Sequence, residues 1–474
     1  MQTRSCYQLT LVLIVLILSS LGPTITFAQT KSAPAETMDE KERLAKMREL
    51  NRRMHPPLEI DDDRVTAMGI RKLTGQYITM YTDIRDNKDI DDFCNVFDQA
   101  MPQWCKIFDI SEESVAPLKM TVIVMLEEER FEKAGLKPRN LPKFLAGFNR
   151  GHEIWVKNQP GDYYTRHLLL HEGTHAFMQW MLGGSGPPWY SEGMAEMIAL
   201  HQYTPEIKAG VATGNHIVKI NHRIKDKSEA DYWGRIKIIN EDFRDKRAMT
   251  LDNVMSIGPG SFFETRPRHY AWSWAACDFF ANHPLTKESF ADLGHQAADI
   301  TRRFNNRFTD EIEEHRATID RDWRTFVAEA EYGYAPERAA ISTAKADPES
   351  DDQTKRYLVA TNRGWQRTGL TIRKGDTLTI SGEGEYEVNA SMVNGKRIPW
   401  KTQSGGVTID YYRGQPLGIL MAAVLKDDGL TPATPVGLKS TLKFPSDGEL
   451  CLRINESPAK LEDNVGTLKV TVKK

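Results

Sequence analysis

His171-Glu172-Gly173-Thr174-His175 carries the sharpest chemical signal in the chain. On an α-helix, positions i and i+4 share a face about 6 Å apart, so both imidazoles can reach one metal ion. Glu172 then lies beside the open coordination position, where its carboxylate can take a proton from water. Zinc suits such a set, because three protein ligands plus a water form its catalytic arrangement. The competing reading is a surface helix whose two histidines face solvent. A second motif weighs against it. Trp189-Tyr190-Ser191-Glu192-Gly193-Met194-Ala195-Glu196 opens another helix, and 16 residues separate His175 from Glu192. A helix returning against the first would bring Glu192 in as the third ligand, an oxygen. Glu196, one turn further, is spaced to accept a proton from the non-ligating nitrogen of a ligand histidine. His167, one turn before His171, reads as structural support, not as a ligand.

These residues need elements to hold them. Helical spacing predicts a long helix from Tyr164 to Leu182, stopped by Gly183-Gly184-Ser185-Gly186-Pro187-Pro188, and a further helix from about Ser191. Upstream, Gln76–Thr82 alternates as a strand and Asp91–Phe108 is helical. Met120–Leu126 is a continuous apolar run expected of a buried strand, and Glu153–Lys157 is a short strand. Downstream, Ala271–Asn282 and Phe308–Glu331 read as helices. After Arg356 the chain changes to short alternating segments between Gly, Asn and Asp turns, a cadence that predicts a β-sandwich of about 120 residues. The expected organisation is residues 1–28 as a signal peptide, 29–65 as a charged linker and 66–340 as a mixed α and β catalytic domain. Residues 341–356 read as a second linker, and 357–474 as the sandwich.

Composition bounds the partners. Of 474 residues, 40% are hydrophobic and 27% charged, an ordinary globular balance. Lys and Arg number 62 against 65 Asp and Glu, a net charge of −3, so nucleic acid is not an expected partner. Arg4, the apolar run Leu9–Leu21 and small residues at Thr26 and Ala28 follow the order of a secretory signal. Export to a secreted or periplasmic location is therefore expected, with no membrane span after signal removal. Cys94, Cys105, Cys277 and Cys451 are too few for a disulfide scaffold. On one helix, Cys94 and Cys105 would lie about 16 Å apart along the axis, beyond bridging distance. Only a break at Pro102 could bring them together.

The HEGTH and WYSEGMAE motifs resemble the glutamate-zincin metallopeptidases, and in particular secreted bacterial peptidase-MA-like proteins, over roughly Ile70 to Tyr334. The resemblance implies a zincin-like α+β fold, helices over a mixed sheet, with zinc on His171, His175 and Glu192. It implies Glu172 as general base in peptide hydrolysis. No GAMEN-like exopeptidase motif is present, so endopeptidase activity is the expectation. Tyr270, in Arg268-His269-Tyr270-Ala271-Trp272, stands about where related enzymes carry a catalytic tyrosine, with His269 as its rival and aromatic packing as the plain alternative. His152–Lys157 is expected to be the edge strand that pairs with an extended peptide. Thr368–Ile372, Gly375–Ile380, Gly418–Leu420 and the loop Asn455–Gly466 resemble calcium-dependent galactose-binding lectins of the PA-IL type. That likeness implies calcium and a glycan at Glu456, Asp463 and Asn464. Glu456 is longer than the lectins' Asp, however, and Lys460 adds an amine, so a weak or absent calcium site is expected. Two other readings stay open: a catalytically weak zinc protein whose sandwich binds glycans, and a zinc hydrolase acting on a cell-wall amide.

Overall fold

The computed structural model describes residues 56–474 except Thr265 and Asp352, together with isolated positions between Glu42 and Arg53. The expected signal peptide and most of the charged stretch after it lie outside the described residues. Among the described residues, no helix is long and apolar enough to cross a membrane.

Strands β1 (Arg71–Thr74), β2 (Ile78–Thr82), β3 (Met120–Met125), β4 (Gly147–Arg150) and β5 (Glu153–Lys157) form one mixed sheet in the order β1-β2-β3-β5-β4. β2, β3 and β5 run parallel, while β1 and β4 pair antiparallel at the two edges. β3 is apolar but for Thr121 because both of its faces are covered. Met120, Val122 and Val124 enter the main core, and Ile123 and Met125 enter a smaller cluster with Tyr81, Phe131 and Trp155. The pairing corrects one expectation: Glu153–Lys157 is an interior strand, and the edge beside it is β4. The first boundary also moves. Leu58 and Ile60 pack on the smaller cluster, Leu58 N donates to Glu153 Oε1 at 2.7 Å, and the helix Asp62–Ala67 buries Val65. Residues 58–65 therefore belong to the domain and not to a linker.

Helix α1 (Phe93–Ile107) runs unbroken through Pro102, so Cys94 and Cys105 stay on one helix, and all four described cysteines are free. Helix α2 (Asp162–Met181) is buried on nearly every side, which explains why its sequence shows no apolar stripe. It ends at Leu182 before Gly183, whose φ of 77° suits the left-handed exit from a helix. Pro188 then opens α3 (Pro188–Ile198) in its first turn, where no backbone donor is needed. Helices α4 (Arg235–Arg244) and α5 (Arg266–Asn282) complete the layer around α3. The helix expected over Phe308–Glu331 is two, Arg302–Ile312 and α6 (Arg316–Ala328), separated by a 3-10 turn at Glu313–His315.

The C-terminal region is all strand. One sheet orders Lys439–Lys443, Thr377–Glu383, Thr467–Lys473, Thr354–Ala360 and Lys345–Ala346. The other orders Gly429–Leu430, Leu420–Lys426, Gly448–Ile454, Gln366–Ile372 and Ser342–Thr343. Their inner faces enclose a separate core of Val359, Ile380, Leu420, Val424, Leu452 and Val470, among others. Ser342–Thr343 and Lys345–Ala346 are paired strands of these sheets, so the segment 341–356 is part of the sandwich and not a linker between domains. A hairpin of Tyr386–Val393 and Lys396–Thr402 turns at Asn394-Gly395, both with positive φ. That dipeptide is a hairpin signal the strand reading passed over.

Contacts between the two regions are buried and charged. Arg453 Nη1 lies 3.2 Å from both oxygens of Glu329, with the two side chains 7% and 11% exposed. Ser457 Oγ and Tyr412 OH both donate to Glu331, and Leu461 of the 455–466 loop is counted in the main core. Removing one member of a buried pair leaves the other charge uncompensated. Arg453→Ala should therefore cost about 3–5 kcal/mol. Arg413→Ala, which removes a more exposed cation 3.8 Å from the same carboxylate, should cost under about 1 kcal/mol. Urea unfolding of the full chain followed by circular dichroism measures both.

Candidate metal centre

His171 and His175 stand one turn apart on α2 with their Nε2 atoms 3.2 Å from each other. Glu192 Oε2, reaching from α3, lies 3.2 Å from His171 Nε2 and 3.3 Å from His175 Nε2. Their outer nitrogens face oxygens: His175 Nδ1 is 3.2 Å from Ser191 Oγ, and His171 Nδ1 is 3.5 Å from Glu196 Oε1. With the ring protons on Nδ1, two imidazole lone pairs and a carboxylate aim at one point. Such a donor set fits a borderline-soft dication of the zinc type. A second cluster, His167, His171 and Glu196, also has metal-ligand spacing. Its carboxylate already holds a cation, because Arg235 on α4 binds Glu196 with Nη2 to Oε1 at 2.8 Å and Nε to Oε2 at 3.0 Å.

The electrostatics follow from burial. Burial opposes ionisation of Glu192, but His175 and His171 outweigh it and hold the carboxyl down to about 2. Glu196 is held well below the ordinary range against its burial, chiefly by Arg235 and then by His167. Burial pushes Glu172 up to about 8, outweighing the lowering charge of His175. His167 is fully enclosed; burial lowers its pKa, and its Nδ1 faces Ala199 O at 3.2 Å. It supports Glu196 from the far side of the ligand set.

Close packing aligns these groups. A Cβ on Gly193 would collide with Ser273 O and Cys277 Sγ, so its absence lets α5 lie against α3. A Cβ on Gly147 of β4 would sit 2.5 Å from Glu172 Oε1, so glycine there lets the edge strand pass over the carboxylate. The result is a cleft of about 580 Å³, with β4 on one wall and His171, Glu172, His175 and Glu192 at its base. Tyr270 also lines it from the second turn of α5, its ring centroid 6.0 Å from that of His171. Burial, and then the charges of Glu192 and Glu172, raise its pKa, so the phenol keeps its proton. His269 turns away, with Nδ1 3.0 Å from Ser261 O. Arg235, Ser191, Gly147 and Phe262 are site residues the sequence reading did not single out.

The C-terminal candidates are differently placed. Glu456 and Asn464 are buried and Asp463 is exposed. Glu456 Oε1 accepts from Ser457 N at 2.8 Å, and Oε2 has no partner. Asn464 Nδ2 donates to Thr361 O at 3.0 Å, and its Oδ1 has no partner. The orphaned oxygens suit a hard cation, but burial pushes Glu456 up to about 8 and so favours its neutral acid at pH 7. Both clusters of metal-ligating side chains among the described residues lie on α2 and α3.

No protein-family model matches the chain, and no curated protein matches it. Among solved structures, a chain described as "EclA N-terminal domain; PllA-like lectin" matches at 20% identity. The match covers 26% of this chain and 94% of the other, with a TM-score of 0.20.

Two measurements test these assignments. His171→Ala or His175→Ala should abolish stoichiometric metal in the purified protein, read by elemental analysis, because two ligands hold a dication far less tightly than three. Glu456 binds its proton more tightly folded than unfolded, so its contribution to stability falls as pH rises from about 4.5 to about 8. Glu456→Gln should remove that loss, on the order of 5 kcal/mol, leaving the variant more stable than the parent at pH 9. Millimolar calcium should not reproduce the gain. Thermal melts at pH 5 and pH 9, with and without calcium, read both effects.

Proposed function

We propose that this chain is an exported zinc-dependent peptidase that cleaves within polypeptides. The observation that carries the proposal is the meeting of His171 Nε2, His175 Nε2 and Glu192 Oε2 within 3.3 Å, beside the buried Glu172. Zinc held by those three residues supplies Lewis acidity toward a carbonyl oxygen and toward water. Glu172 takes a proton at its carboxylate from the attacking water and returns it to the departing amine nitrogen. Tyr270, kept protonated, donates its hydroxyl hydrogen to the oxyanion that develops on the scissile carbonyl. β4 is the open edge of the sheet, suited to pair with an extended peptide laid across the cleft. Glu196 orients His171, and Arg235 keeps Glu196 ionised for that task.

Export rests on the charged start, the Leu9–Leu21 run and the cleavage-like Thr26-Phe27-Ala28. Carbohydrate is a separate proposal for the sandwich, resting on its sequence resemblance alone. For the peptidase, Glu172→Gln should retain metal and fold yet lose at least about a hundredfold in turnover of a peptide library, since an amide cannot accept the proton. Metal-replete Glu172→Gln with near-normal turnover would put the base elsewhere.

A further inference from the structure

A second, smaller cavity is lined by Met197 of α3 and by none of His171, His175 and Glu192. Its volume is about 180 Å³, below the range of drug-sized pockets, so it suits a headgroup and not a peptide. Trp233, Trp274, Tyr332 and Phe326 form its apolar wall, and Asp278 and Glu331 supply its carboxylates. Trp233 and Trp274 meet edge to face at 4.9 Å and 86°, and Tyr332 stands 6.3 Å from Trp233. The rings thus form a corner with faces turned in different directions.

The charges around this corner do not balance. Asp278 accepts only from Asn282 Nδ2, at 3.2 Å, and no cationic side chain among the described residues is within 4.0 Å of it. Arg223, the basic residue in the wall, is engaged with Glu337 through Nη1 at 2.8 Å and Nη2 at 3.0 Å. His222 faces Glu229 at 3.4 Å. Glu331 is held by two hydroxyls, Ser457 and Tyr412, and by no cation. Burial pushes Asp278 up to about 6, against the lowering charge of Arg223, which lies beyond ion-pair distance. The wall therefore combines aromatic faces with two carboxylates, while its own cations are paired with other acids.

We propose that this cavity binds a small organic cation, an alkylammonium or quaternary ammonium headgroup, with Asp278 as counter-ion and Trp233, Trp274 and Tyr332 as the aromatic enclosure. Ring faces attract such cations, and the attraction grows when both partners leave water. A partly buried carboxylate adds a charge that a neutral ligand cannot use, so selection against neutral isosteres follows. The site is independent of the proposed peptidase chemistry: it needs neither the metal nor Glu172.

Calorimetric titration of the full-length protein with tetramethylammonium chloride tests it, against sodium chloride at equal ionic strength. Parallel titrations use propylammonium and the neutral isostere tert-butanol. Saturable binding of at least one cation is expected, with no binding of tert-butanol. Preference between the cations reports whether an N–H donor to Asp278 or a fully methylated surface is favoured. Asp278→Asn should weaken binding at least tenfold, and far-UV circular dichroism and the thermal midpoint check its fold. If that variant misfolds, Trp274→Leu in its place should weaken binding by a similar factor through loss of the ring face. Absence of saturable heat with both cations, equal binding of tert-butanol, or a folded Asp278→Asn variant with unchanged affinity would overturn the proposal.

Discussion

Two imidazole lone pairs and a carboxylate oxygen within 3.3 Å of one another repel unless positive charge lies among them. Much of the first domain is organised to keep that arrangement in place. The outer nitrogen of His175 is hydrogen-bonded to Ser191 Oγ, and that of His171 lies 3.5 Å from Glu196 Oε1, so both rings have an oxygen on their outer side in a buried environment. Glu196 is itself held by Arg235 on both oxygens and by Trp233 Nε1 at 3.2 Å. The chain of support runs from α4 through α3 to α2. The two glutamates of α3 thus have different partners: Glu192 faces the two histidines and Glu196 the guanidinium of Arg235.

That division depends on backbone proximity more than on side-chain chemistry. α5 approaches α3 closely because Gly193 leaves room for Ser273 and Cys277, and the same approach brings Tyr270 to the cleft. Gly147 does the equivalent for β4 above Glu172. Any larger residue at either position must displace backbone or the Glu172 carboxylate. Glycine in these motifs is thus a spacing requirement set by neighbouring elements, and its cost in chain entropy is offset by the packing it permits.

What the sequence made legible was local. An i, i+4 pair of histidines and a second helix after a Gly/Pro turn are short-range patterns, and the buried β3 run is a composition pattern. Arg235 was not legible, because a lone arginine 39 residues beyond Glu196 has no spacing that singles it out. The edge strand was misassigned since Gly147-Phe148-Asn149-Arg150 has no alternation, whereas Glu153–Lys157 is apolar because it is interior. The polar segment after Ile341 looked like a linker because its strands are only two residues long and partly exposed. In each case a long-range contact, not a local preference, decided the outcome.

The sandwich enters the same logic through its contacts. A domain tethered by a linker would sample many orientations, but Arg453–Glu329, Ser457–Glu331 and the insertion of Leu461 into the main core define one. A buried charged pair is a poor source of net stability and a good means of rejecting misaligned docking. Glu331 is the point where this matters most, since it accepts from two sandwich hydroxyls and also lines the aromatic cavity. The residues lining that cavity all come from the first domain, and the sandwich reaches its acidic wall at Glu331, so the seating of one domain on the other bears directly on one of the two carboxylates there.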